Sequence, residues 1–217
     1  LPDRKTVIAS PRRERLMALL EDLKKTAEKV TGWARPSSRD LDAAVRARKA
    51  HTFRFKDDGV IPNNPDLPLV LYRSPLRLSD SFDPAALFED LFERNGWGDS
   101  WRNGIYDYVH YHSRIHEVLG IARGSGRVQF GGPKGRQFEL KTGDVAILPA
   151  GTGHQCIKPG REFLVVGAYP PFGTYDECRT SAQEHERAVS TIPKVANPRK
   201  DPVFGAGGPL VRLWRHR

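Results

Sequence analysis

Cysteine is nearly absent from this chain: Cys156 and Cys178 are the two found in 217 residues. That is too few for a disulfide scaffold and fits a reducing compartment. No run of eighteen apolar residues occurs, so no membrane-spanning helix is expected. No signal peptide is visible, although the chain opens on Leu1 rather than Met, and a cytoplasmic location is the expectation. Aromatic residues make up only 9%, while Pro and Gly number 17 and 20, a balance that suits a turn-rich β architecture. Internal repeats and low-complexity tracts are lacking too. A chain of this length buries one sizeable core, which favours a single domain with appendages.

Acidic charge is the next shortage, and it is local. The net charge is +9, and residues 1–50 carry 13 Lys/Arg against 7 Asp/Glu. Those first fifty residues read as a basic helical extension, followed by one domain over 51–217. Ser10-Pro11 opens a helix whose Leu16, Leu19, Leu20, Leu23, Ala27 and Val30 share one face. A shorter helix is expected from Ser38 through Leu41, Ala44 and Val45. Such a stripe suits packing on the domain over 51–217 or on a second subunit. Charge alone, with no interleaved aromatics, does not make a nucleic-acid-binding module.

Further on, strands are expected at His51-Thr-Phe-Arg-Phe and from Leu67 to Tyr72. A helix opens at Asp83-Pro84, turns Leu87, Phe88 and Leu91 inward, and ends at Gly96-Trp97-Gly98. A β-core follows from about Ile105 to Tyr169, with a hairpin over Arg123 to Gly135 turning at Gly131-Gly132-Pro133. The last fifty residues, rich in Pro and Gly, wrap the surface, with a helical piece from Glu184 to Val189.

Within that core stand His110, His112, Glu117 and His154. The first three lie in Gly104-x5-His110-x-His112-x4-Glu117-x6-Gly124, and the fourth closes Gly143-x5-Pro149-x-Gly151-x2-His154. Residues two apart on a strand share a face, so His110 and His112 reach one target. Glu117 lies at an odd offset, which requires a turn or bulge at Ser113-Arg114-Ile115 to reset the phase. Pro149-Ala-Gly151-Thr-Gly153 suits a tight turn that swings His154 back inward. Three imidazoles and one carboxylate can hold a divalent ion and leave positions for water, O₂ or substrate. With seven histidines in the chain, a single His-x-His pair can arise by chance and is weak on its own; two segments together, with glycines and proline in register, are a strong signal. A helical metalloprotease motif competes poorly, because in His112-x3-His116-Glu117 the glutamate falls outside the pair. His116 is the rival ligand, and strand alternation turns it outward, to solvent or a supporting position.

The same alternation nominates Tyr106, Tyr108, Leu119 and Ile121 to line a substrate pocket, with Cys156 two residues beyond His154. For each, ordinary barrel packing is the competing reading. Tyr169-Pro-Pro-Phe-Gly-Thr-Tyr-Asp is placed to cover the barrel mouth.

These two segments resemble the two motifs of the cupin superfamily. The first matches throughout; the second departs at Lys158, where the family pattern has asparagine, in the stretch after His154. Pro62-Asn-Asn-Pro, Gly104-Ile-Tyr-Asp-Tyr, His112-Ser, Pro149-Ala-Gly and Val166-Gly-Ala-Tyr-Pro are similar to a single-domain bacterial group, the YjlB-like cupins. The resemblance, which covers Phe53 to about Trp214, implies a mainly β fold with a jelly-roll barrel; the helical N-terminal extension precedes it, and the few peripheral helices are those read above. It also implies a homodimer, and a metal-dependent enzyme on a small organic molecule, with O₂-using dioxygenases ahead of decarboxylases and isomerases. The expected cofactor is a divalent metal, Fe²⁺ first, with Mn²⁺, Ni²⁺ or Zn²⁺ as alternatives. A non-catalytic metal- or small-molecule-binding sensor on the same barrel is the other reading.

Overall fold

The computed structural model describes residues 35–79 and 82–215. The expected helix carrying Leu16 to Val30 lies outside the described residues.

Among the described residues, short segments pair into nine strands. They are β1 (Ala50–Phe53), β2 (Leu69–Tyr72), β3 (Gly98–Asn103), β4 (Glu117–Arg123), β5 (Ser125–Phe130), β6 (Arg136–Lys141), β7 (Val145–Leu148), β8 (His154–Pro159) and β9 (Leu164–Tyr169). One sheet runs β1-β2-β7-β4-β9-β3 and the other β6-β5-β8, with antiparallel neighbours throughout. Between the sheets lie Leu71, Leu119, Ile121, Val128, Phe130, Leu140, Leu148 and Cys156. The large sheet is covered on its other face too, so β2, β7 and nearly all of β4 are buried residue after residue. That double cover explains why these segments read as apolar runs without alternation.

The outer cover is helical. α1 (Ser38–Ala44) opens with a capping box between Ser37 and Asp40 and buries Leu41 and Ala44. α2 (Pro84–Arg94) begins at the Asp83 cap, whose carboxylate accepts from Ala85 N–H, and buries Leu87, Phe88, Leu91 and Phe92. It approaches the sheet closely because β4 offers Gly120, where a Cβ would stand 2.5 Å from the Phe88 ring. α3 (Ala182–Thr191) leads into a 3₁₀ turn, Ile192–Lys194. Finally α4 (Pro209–Leu213) delivers Leu210 and Trp214 into the outer core, beside Val203. The C-terminal segment thus inserts as well as wraps: Tyr72 Oη donates to buried Asp201 (2.6 Å), and Trp214 Nε1 donates to the Pro68 carbonyl (2.9 Å).

The hairpin at 123–135 is present as β5 and β6, turning through Gly131 and Gly132, both at positive φ. Lys158, the departing motif position, lies exposed within β8, and the strand runs on past it to Pro159. The strand β3 and helix α4 were not anticipated from sequence.

Candidate metal centre

The three histidines reach one spot from two neighbouring segments. His110 lies on an irregular stretch laid antiparallel to the start of β8, where His110 N–H donates to the His154 carbonyl (3.2 Å) and His154 N–H returns to His110 (2.9 Å). His112 follows on the same face. The chain then bends at Ser113 and Arg114, where the phase change was expected, and enters β4 with Glu117 inward. His154 heads β8 after the turn at Pro149–Gly151, with Gly151 at φ +91°. A Cβ there would fall 2.8 Å from the Asn63 carbonyl, so the turn needs glycine twice over. Asn63 and Asn64 brace it: Gly153 N–H donates to Asn63 Oδ1 (3.3 Å), and Asn64 Nδ2 donates to the Ala150 carbonyl (3.0 Å).

Each imidazole is held by its Nδ1. His110 meets the Tyr108 carbonyl (3.3 Å), His112 that of Asp176 (2.5 Å) and His154 that of Thr152 (3.0 Å). A carbonyl only accepts, so each Nδ1 carries the proton and each Nε2 keeps a free lone pair. The ligand atoms of the three rings lie within 4.8 Å of one another, and all three residues are buried. Glu117 Oε2 stands 3.4 Å from Nε2 of both His112 and His154. It is buried and accepts no well-formed hydrogen bond. Two donors each about 2.1 Å from one ion, at angles near 90–110°, stand roughly 3.0–3.4 Å apart. An orphaned carboxylate oxygen at that spacing, beside three oriented lone pairs, fits a divalent cation.

Electrostatics agree with the donor roles. Burial, reinforced by the neighbouring His154 and His112 rings, drives the His110 pKa down to about 2, so its lone pair stays available. Burial alone would raise Glu117, but the facing His112 and His154 imidazoles hold it below the usual carboxylate range. Burial opposes charge on His112 as well, yet the Glu117 carboxylate raises it above its ordinary value. With no cation between them, this pair attracts a proton that a metal would displace.

Above these residues opens a cavity of about 590 Å³. His110, His112, Glu117 and His154 contribute to its lining, joined by Trp101, Ile105, Ile115, Tyr169 and Tyr175. Of the residues nominated from sequence, Tyr106 and Leu119 line the cavity. Tyr108 is not among the lining residues; it stacks on Tyr106 behind His110, with Arg179 over its ring. Ile121 and Cys156 face the packed interior between the sheets. From the segment Tyr169 to Asp176, Tyr169, Pro170, Pro171, Gly173 and Tyr175 line the cavity. Sequence reasoning missed Trp101 on β3, which sits against Gly167 and donates Nε1–H to Tyr169 Oη (2.9 Å). Tyr175 was seen only as part of a loop; its ring packs 4.9 Å from that of His112. Burial pushes Tyr175 up to about 12, and raises Tyr169 further still, so both phenols remain donors.

Of the two places expected for His116, solvent or a supporting position, the structure gives the second: it turns away from the other histidines and is buried, with Trp214 packed on its ring at 4.8 Å. Its Nδ1 accepts from Ala150 N–H (2.9 Å), on the turn that carries His154. Burial lowers its pKa to about 3, keeping that acceptor free of a proton.

Residues 103–167 match the Cupin domain family. The chain is 41% identical over 167 residues to the uncharacterised protein YjlB of Bacillus subtilis (strain 168), covering 77% of this chain and 98% of that one. Among solved structures, a Klebsiella pneumoniae protein with a double-stranded β-helix domain shares 18% identity over 68% of this chain and 98% of its own, at a TM-score of 0.31. Acireductone dioxygenase from Bacillus anthracis, with a cadmium ion in its active centre, shares 18% over 48% and 66%, at 0.29. Superpositions that loose say nothing about this site. The family model spans both motif segments and the relative is matched along nearly its whole length: the chain is a cupin of the YjlB-like group.

Proposed function

We propose that this cupin is a divalent-metal-dependent enzyme acting on a small organic molecule, with dioxygenase-type oxidation the leading reaction class. The observation that carries the reading is the buried trio of Nε2 lone pairs, pinned through Nδ1, beside an orphaned Glu117 oxygen at the floor of a cavity. His110, His112, His154 and Glu117 would hold the ion. Three imidazoles with one carboxylate suit borderline first-row cations, with Fe²⁺ first and Mn²⁺, Ni²⁺ or Zn²⁺ as alternatives. When bound, such an ion supplies Lewis acidity and, for iron, access to O₂.

The protein's own groups supply the remainder. Glu117 stays ionised and offsets part of the cation's charge. Tyr169 and Tyr175 keep their phenolic protons at neutral pH and can donate to an oxygen of the bound molecule. Trp101, Ile105, Ile115 and Leu119 exclude water from its carbon skeleton.

The test is O₂ consumption by protein reconstituted with Fe²⁺, Mn²⁺, Ni²⁺ or Zn²⁺ and offered a panel of small enols, catechols and carboxylates. Substrate-dependent O₂ uptake confined to the iron form is expected. Substrate turnover without O₂ uptake would move the reaction to a decarboxylase or isomerase. Tight binding without turnover under any metal would leave a sensor.

A further inference from the structure

The segment that brings Gly173 and Tyr175 into the cavity wall is tied to the candidate metal centre through one carboxylate. Asp176 Oδ1 accepts from Ser113 N–H (2.9 Å) and Arg114 N–H (3.2 Å), and its Oδ2 from Ser113 Oγ (2.6 Å). Cys178 Sγ (3.4 Å) and Arg114 Nε (3.6 Å) also approach Oδ2. Ser113 and Arg114 form the bend that puts Glu117 on the same side as His112. The backbone carbonyl of the same Asp176 receives the His112 Nδ1 proton. One residue thus sets both the offset between two candidate ligands and the tautomer of one of them.

Its neighbours run along the same bend. Tyr111 N–H donates to the Cys178 carbonyl (3.0 Å), Cys178 N–H returns to Tyr111 (2.9 Å), and Thr174 N–H reaches Arg114 (3.3 Å). Gly173, at φ +111°, lies so near that a Cβ would stand 2.4 Å from the Arg114 carbonyl. Gly173 and Tyr175 form cavity wall, and the Tyr175 ring packs on His112.

We infer that Asp176 is a positioning residue that couples metal loading to closure of the strap 173–178 over the cavity, so that the metal binds before the organic ligand finds its completed wall. This rests on the metal reading above. A metal that fixes His112 also fixes the carbonyl bonded to its Nδ1, and with it the strap. By reciprocity, loosening the strap weakens the metal. Oriented partners behind metal-binding histidines commonly change affinity by about 10–100-fold when lost.

The experiment uses the full chain with Co²⁺ as probe. Affinity is read by chelator competition, coordination by the visible cobalt spectrum, and the strap by hydrogen exchange at the amides of Tyr111, Thr174 and Cys178. Co²⁺ should slow exchange at these amides in the wild type. Asp176→Ala should weaken Co²⁺ by about 10–100-fold, alter the spectrum and abolish the Co²⁺-dependent slowing. Asp176→Asn, which keeps an acceptor for both amides, should restore most of each. If Asp176→Ala does not fold, Ser113→Ala removes the 2.6 Å bond while leaving the carboxylate's bonds to both amides, and should shift affinity and exchange in the same direction by less. Unchanged affinity and unchanged Co²⁺-dependent protection in the variant would overturn the coupling. Failure of the wild type to take up one Co²⁺ would instead overturn the metal reading, and the coupling with it.

Discussion

Histidines 110, 112 and 116 occupy a span of seven residues, yet the structure separates their chemistry by what each ring's Nδ1 meets. Against a carbonyl, Nδ1 must donate and Nε2 is left free, as in His110 and His112. Against the Ala150 amide, the Nδ1 of His116 must accept, so its proton sits on Nε2. Replacing His116 with Leu strands a buried N–H, and the expected loss is about 1–3 kcal/mol of unfolding free energy. His116→Asn, with an acceptor near the Nδ1 position, should recover part of that in urea denaturation; equal losses would show that ring packing on Trp214 dominates. The sign of the pH response follows from the same rings. In the metal-free protein His112 is raised by Glu117, so this pair's stabilisation is complete below the unfolded value near 6.5 and is lost as pH rises through the higher folded value. Metal binding needs the neutral ring and runs the other way. Affinity should weaken as pH falls, starting above 6.5, whereas His110, already neutral, adds no slope there. A flat affinity between about 5 and 8 would count against a histidine site.

At the scale of elements, legibility tracked how local the cause was. The bend at Ser113 was readable because Glu117 falls on the wrong parity without it, and α2 because Asp83-Pro84 is a cap in sequence as in space. β3 escaped notice because Gly98-Asp-Ser-Trp-Arg-Asn is a polar edge strand whose apolar contact is Trp101. The burial of His116 depends on Trp214, far along the chain, and local alternation carries no trace of it. Gly167 is the corresponding case on β9: a Cβ would stand 2.1 Å from the Trp101 indole. Gly167→Ala should therefore push Trp101 from its seat, with a loss of about 1–3 kcal/mol from overpacking and a changed Trp fluorescence. Wild-type stability and emission would mean that β3 moves aside freely. The Asp83 cap gives a second test. Burial opposes its ionisation, but Arg102, with help from Arg123, holds its pKa below the ordinary 3.8. Its contribution is present above the unfolded value and lost as pH falls through the folded one. Asp83→Ala should lose about 1 kcal/mol near neutral pH, and the gap to wild type should close in acid; a constant gap would assign the loss to packing.

For the whole molecule, the question is where the barrel domain begins. From sequence, the boundary was drawn at residue 50. Leu41 and Ala44 nevertheless pack in the outer core, Arg35 pairs with Asp90, and Arg94 with Asp42. A chain starting at Arg35 should keep the barrel's stability and metal content. One starting at residue 51 should lose several kcal/mol, since removing a buried leucine alone costs about 2–5. Equal melting temperatures for the two would support a boundary at residue 50. The stripe Leu16 to Val30 lies outside the described residues, and the homodimer it is expected to join from its spacing is open to test. Sedimentation should then show a weaker dimer for the Arg35 start, while unchanged assembly would make the extension dispensable for it.

The central claim is that His110, His112, His154 and Glu117 form a divalent metal site and that His116 does not belong to it. Metal bound per chain, measured after reconstitution and removal of free ion, tests this on wild type, His112→Ala and His116→Asn. The account predicts about one equivalent for wild type and His116→Asn, and almost none for His112→Ala, because one donor and its geometry are lost. Full occupancy in His112→Ala, or equal loss in both variants, would contradict it.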